Sequence, residues 1–245
     1  MQRIALITGA GRGIGAATAL ELGRRGFHVI VNYHRDAAAA ASVAAEIAVN
    51  GGSAQAVQAD VCDPGQVAGM VAVCERVDAL VCNANISPAF APLAELSWPD
   101  FSGKVLGELS AVFHVTRQVL DLMRKQGEGR IVYVSSLSAD LVRPGTIAHA
   151  TAKAALNTFA QHVAAEAGGW GIAVNTVAPA GVRTEGSAAM RTPQAEAALA
   201  RRSVLGRMLD PRDVAAVIGS VLDGGFGAVA GAHIPVDAGY RVLPG

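Results

Sequence analysis

Seven short runs rich in apolar and β-branched residues punctuate the chain, at residues 3–8, 28–33, 54–59, 79–83, 130–135, 172–177 and 233–236. The first six are separated by stretches with helical patterning, such as 13–23 and 36–49. A strand that is apolar along its length has both faces buried, which is the condition inside a parallel sheet. Parallel neighbours need a crossover, and helices between successive strands supply right-handed ones. The expected fold is α/β: a doubly wound parallel sheet of about seven strands with helices on both faces. With 245 residues and no repeat, low-complexity tract or linker, a single domain spanning 1–245 is expected.

Composition narrows the function classes. The chain is 51% hydrophobic and 16% charged, which excludes a disordered chain. Lys plus Arg and Asp plus Glu balance at 20 each, so no charge footprint for nucleic acid or an anionic membrane exists. No apolar run approaches a membrane span, and no charged n-region precedes an apolar h-region at the start. Cys62, Cys74 and Cys82 form no CxxC pair and are odd in number, which fits reduced, buried thiols in a cytoplasmic protein. His28, His34, His114, His162 and His233 show no metal-ligand spacing, and no metal site is expected.

The first strand runs into T-G-A-G-R-G-I-G, residues 8–15, which opens the first helical stretch. Glycines there let the backbone turn tightly and approach a pyrophosphate, while helix-start N–H groups face its oxygens. Gly9, Arg12, Gly13, Ile14 and Gly15 are therefore candidate cofactor contacts. A carboxylate ending the second strand would hold the ribose 2′-OH of NAD. This chain offers Asn32, Tyr33, His34 and Arg35 there, with Asp36 further on. Arg12 and Arg35 together favour the 2′-phosphate of NADP(H), the alternative for Arg35 being a solvated loop charge.

The stretch H-A-T-A-K, residues 149–153, follows Ser136 by thirteen residues. With the glycine loop spaced G-x-x-x-G-x-G, it resembles the short-chain dehydrogenase/reductase family, whose signature is Tyr-x-x-x-Lys with an upstream Ser. The resemblance runs from Ile4 to Tyr240, and within the family is greatest to the 3-oxoacyl-carrier-protein reductases, whose flavour is seen in L-G-R-M-L-D-P-R-D, residues 205–213. It implies a Rossmann-type fold. It also implies that Ser136 holds the substrate oxygen and that Lys153 binds the nicotinamide ribose. His149 stands where the family's proton-donating tyrosine would be, and Glu108 aligns with the family's helix asparagine, given a three-residue insertion after Trp98. Asp60 with Val61, Asn83 with Ala84, and Pro179 with Thr184 match adenine, ribose and nicotinamide contacts. Asp60 and Pro179 also suit plainer roles as a turn cap and a strand terminator. Family glycines are replaced by Asn85, Ala180 and Ala238, and Asn85 is expected to keep a positive-φ turn.

Residues 149 and 153 stand at i and i+4, on one helix face. An imidazole has an ordinary pKa of about 6.5, nearer neutrality than tyrosine's. Lys153 and an oxidised nicotinamide would depress it and Glu108 would raise it, a balance the sequence leaves open. The leading expectation is an NADPH-dependent reductase of a ketone or 3-oxoacyl substrate, with His149 as proton donor. The alternatives are a non-catalytic cofactor-binding protein, and a non-redox dehydratase, isomerase or cyclase using Glu108 and His149. A small-molecule or acyl-thioester substrate is implied. So is a homotetramer or homodimer paired through residues 107–125 and 149–167. Residues 185–205 are Ala-rich and are expected to be an irregular lid over the substrate.

Overall fold

The computed structural model describes residues 2–186 and 192–242. Strands and helices alternate as β1 (Ile4–Ile7), α1 (Gly13–Arg24), β2 (His28–Tyr33), α2 (Ala37–Val49), β3 (Ser53–Gln58), α3 (Pro64–Ala72), β4 (Ala79–Cys82), α4 (Trp98–Gln126), β5 (Gly129–Val134), α5 (Ile147–Ala167), β6 (Ile172–Pro179), α6 (Pro193–Arg201), α7 (Pro211–Leu222) and β7 (His233–Val236). All strands pair in parallel in one seven-stranded sheet, ordered β3-β2-β1-β4-β5-β6-β7. The order reverses between β1 and β4. Crossovers leave opposite ways from there, so a crevice opens at the carboxyl ends of those two strands.

The inner strands read as continuous apolar runs because both faces are covered. On one face Val67 and Met70 of α3, Val115 and Val119 of α4, and Leu156 of α5 pack against Leu6, Leu80 and Ile131. On the other, Leu22 of α1, Ile47 of α2, and Val214 and Ile218 of α7 cover Ile7, Val81 and Val132. Most helix starts follow local sequence rules. Asp36 accepts from the Ala39 amide to cap α2, Asp63 caps α3 ahead of Pro64, and Ser97 caps α4.

Strand boundaries differ from expectation by one or two residues at several ends; β6, for example, continues to Pro179, where Pro179 pairs with Val236. The expected irregular segment 185–205 is corrected in part. Thr192 accepts from the Ala195 amide, Pro193 opens α6, and good helix formers carry it to Arg201. Residues 187–191 of that segment lie outside the described residues.

Candidate active site

The glycine loop meets the end of β4 at the topological switch. Asn83 donates from Nδ2 to the carbonyls of Thr8 and Gly9, each at 3.0 Å. The amides of Asn83 and Ala84 both donate to Thr8 Oγ1 at 3.0 Å. From β2, the buried Asn32 accepts the Gly9 amide at 3.1 Å. Gly9 and Gly13 have φ of +62° and +57°. A Cβ on Gly13 would lie 3.3 Å from Thr184 Cγ2, so the loop after β6 closes over the glycine loop. A Cβ on Gly15 would collide with the Gly9 carbonyl and lie 2.5 Å from Asn83 Nδ2. The spacing is thus demanded by backbone contact.

Helix α1 begins differently from its neighbours. Its N-cap is Arg12, no side chain caps it, and its first turn holds no acidic residue. The unpaired amides of Gly13, Ile14 and Gly15 suit an anion. Asn32 holds the glycine loop and the Ala59 carbonyl, and Asp36 is committed to capping α2, so neither is free for a ribose diol. Arg12 and Arg35 are exposed and make no ion pair among the described residues. Asp60 does not cap α3. It accepts the Cys62 amide at 2.9 Å, with Val61 buried beside it.

The candidate reacting centre draws on β5, α4 and α5. Ser136 follows β5, and its Oγ accepts the Ser138 amide at 3.1 Å, which leaves its hydroxyl proton to donate. Lys153 is buried in α5 and donates to the carbonyl of Val134 at 2.8 Å and to Glu108 Oε1 at 2.5 Å. His149 lies in the first turn of α5, with its ring edge-on to Phe90 at 6.0 Å. His149 Nδ1 is buried and has no hydrogen-bond partner among the described residues. A buried polar atom without a partner is disfavoured unless a ligand completes it.

Sequence reasoning misses Lys104, one turn before Glu108 on α4, although K-V-L-G-E carries the i, i+4 spacing. Its ammonium donates to Glu108 Oε2, to the Ile86 carbonyl at 2.7 Å and to Asn85 Oδ1 at 2.8 Å. Asn85 is not in the positive-φ region expected for a replaced glycine; its side chain serves Lys104 instead. Ala238 does adopt it, with φ of +52°.

One carboxylate therefore faces two ammonium groups. Burial alone would raise the Glu108 carboxyl, but Lys153 and then Lys104 outweigh it and hold it below the usual carboxylate value. Burial pushes Lys104 down to about 8, and sharing its carboxylate with Lys153 leaves that only partly offset. His149 is held at about 4, mainly by burial and then by Lys153 and Lys104. Glu108 does push the other way, as the sequence suggests, but it is the smallest influence. The ring is neutral at pH 7.

The structure joins Lys153 to Glu108 and to the last residue of β5, sets His149 within reach of both charges, and places Ser136 just past the carboxyl end of β5. It places the glycine loop, Asn83, Ala84 and Thr184 around the neighbouring crevice. The chain matches the short chain dehydrogenase family over residues 3–195, and it belongs to that family. It is accordingly an oxidoreductase of the short-chain type. It is 39% identical to a 3-oxoacyl-[acyl-carrier-protein] reductase of Synechocystis sp., over 75% of either chain. It is 33% identical to an NADPH-dependent aldehyde reductase-like protein, chloroplastic, of Arabidopsis thaliana, over 97% of this chain and 94% of the other. Among solved structures, a gluconate 5-dehydrogenase from Burkholderia cenocepacia in complex with NADP and tartrate superposes with a TM-score of 0.90. That pair is 28% identical and covers 99% of this chain and 96% of the other. No helix among the described residues is long and apolar enough to cross a membrane.

Proposed function

We propose that this protein reduces a ketone or 3-oxoacyl substrate with NADPH, and that His149 takes the place of the family's tyrosine. The observation that supports the reading is a buried, unpartnered His149 Nδ1 on the same helix as the buried Lys153, in a fold whose first helix starts uncapped on a glycine loop. Gly13, Ile14 and Gly15 offer amides to the pyrophosphate, and Arg12 and Arg35 take the 2′-phosphate. Asp60 and Val61 border the adenine, and Asn83 and Ala84 the ribose. Pro179 and Thr184 border the nicotinamide amide. When bound, NADPH supplies the hydride.

The chain's own groups handle the oxygen. Ser136 donates its hydroxyl proton to the carbonyl oxygen and polarises it. Neutral His149 offers an N–H for the same purpose, and its protonated form transfers a proton to the developing alkoxide. General acid catalysis of this kind contributes about 10²–10⁴-fold. Lys153, with two of its protons on Glu108 and Val134, keeps the third for the ribose hydroxyls. The acyl or small-molecule substrate enters beside Phe90.

The test is NADPH binding followed by an absorbance assay on a panel of ketones and 3-oxoacyl thioesters. Consumption of NADPH that is lost in Lys153→Ala supports the reading; wild-type-like turnover in that variant overturns it. One observation favours a second reading. A ring held at about 4 is almost wholly unprotonated at pH 7, as suits a protein that binds the nucleotide without turnover. Binding with no NADPH consumption across the panel selects that reading. Substrate conversion without NADPH consumption selects a non-redox enzyme with Glu108 and His149 as its acid and base.

The protein is further proposed to be cytoplasmic and to form a homodimer or homotetramer through α4 and α5, where Phe113, Leu120 and Phe159, with Trp170 from the turn after α5, line an open groove of about 240 Å³. Light scattering at working concentration tests the assembly; a monomer there removes it.

A further inference from the structure

Lys104 is unexplained by the reduction chemistry, yet its side chain is fully buried, as is nearly all of Glu108 and Lys153. An isolated buried ammonium is strongly disfavoured and persists only where its protons are satisfied. Here the Ile86 carbonyl, Asn85 Oδ1 and Glu108 Oε2 take all three. The last of these is the oxygen that Lys153 does not use. The Ile86 amide donates to the same Oε2 at 3.3 Å. The carboxylate is gripped on both oxygens, so it fixes the Lys153 ammonium in place.

We propose that Lys104 is a positioning residue for the reduction: by sharing Glu108 with Lys153 it keeps that carboxylate ionised, locks the Lys153 ammonium at the cleft wall and leaves a net positive charge behind His149. The inference rests on the reductase reading for its use, but its geometry does not. The groups that act on the imidazole are Lys153 from its own helix and Lys104 and Glu108 from α4. Phe90 meets the ring without charge. Beyond the triad, the Cys62 thiol senses Glu108 and the Cys82 thiol senses Lys153, and both are pushed up toward the neutral form by burial. One carboxylate thus serves two ammoniums, and the surplus charge disfavours a protonated ring. Removing Lys104 leaves Glu108 and Lys153 matched one to one.

The test uses Lys104→Met and Lys104→Gln, the second retaining polar contacts toward Asn85 and Ile86. The ring of His149 is followed by NMR through a pH titration of the cofactor-free protein, with the other five histidines as references. Its titration midpoint is expected to rise by about one pH unit in both variants, the size expected from removing one nearby charge. An unchanged midpoint in a folded Lys104→Gln protein overturns the proposal, because a merely structural lysine would lower the melting temperature and leave the ring alone. The ketone assay is read separately. Loss of NADPH turnover in the wild type ends the reductase reading without touching the titration result, and the reverse holds equally.

Discussion

The Lys153 ammonium rests 2.5 Å from Glu108 Oε1, which ties α5 to α4 directly beneath the reacting cleft. Glu108 carries a charge into this buried site, and a second lysine, Lys104, pairs with it. The electrostatics of the cleft follow from that three-membered cluster.

Breaking the triad at its acid has the larger effect on stability. Glu108→Leu leaves two buried ammoniums with no counter-charge, and removal of one partner from a buried pair destabilises by about 3–5 kcal/mol. Chemical denaturation at pH 7 measures the loss. A change below about 1 kcal/mol, the scale of exposed ion pairs, shows that the triad is hydrated rather than buried.

Turnover should depend on pH as the charged ring does. With its midpoint at about 4, the protonated fraction of His149 grows about tenfold for each unit of falling pH above that point. Ketone reduction measured under saturating NADPH between pH 8 and 5.5 is expected to rise accordingly. His149→Tyr should lose this slope and match or exceed the wild type near neutrality. A flat wild-type profile rules out the imidazolium as donor.

The same group makes the fold acid-sensitive. Above pH 6.5 neither the folded nor the unfolded ring is charged, and it contributes nothing. Between 6.5 and about 4 the unfolded chain binds the proton first, so stability is lost as pH falls. The full loss is up to about 3 kcal/mol. His149→Phe should remove that part of the slope in denaturation curves; an unaltered slope places the sensitivity elsewhere.

Cofactor choice should shift when one of the two exposed arginines is changed. Arg35 follows β2 and makes no ion pair among the described residues. Arg35→Asp places a carboxylate near the 2′-position and removes a phosphate partner. The ratio of NADP to NAD affinity is expected to fall by about 10–100-fold, the worth of one or two charge-assisted contacts. An unchanged ratio in titration calorimetry makes Arg35 a solvated loop charge.

Ala238 holds a left-handed backbone with φ of +52°, which an L side chain adopts at a cost of about 1–2 kcal/mol. Its carbonyl accepts from Ser203 Oγ at 2.8 Å and from the Leu205 amide at 3.1 Å, so the turn is pinned. Ala238→Gly should stabilise the protein by about 0.5–1 kcal/mol after the entropy of glycine is set against the relief. A lower melting temperature would show that the methyl packing outweighs the strain.

Much of the site is legible in the amino-acid order. Gly15 stands where no Cβ fits, and the spacing of His149 and Lys153 puts both on one face of α5. Lys104 escapes such a reading because a helical lysine is ordinarily solvated. Only the packing of α4 against the segment after β4 buries it. Residue type suggests a backbone role for Asn85, whereas its side-chain amide is the part that holds Lys104.

The sequence by itself determined the sheet, the crossovers and the glycine loop. The sheet and crossovers are set by periodicity, and the glycine positions by backbone sterics that begin inside the loop, where a Cβ on Gly15 would meet the Gly9 carbonyl. Only the tertiary structure decided the charge state of the cleft. Lys104, Glu108, His149 and Lys153 come from two helices, and their protonation depends on burial and on distances that no spacing within a chain records.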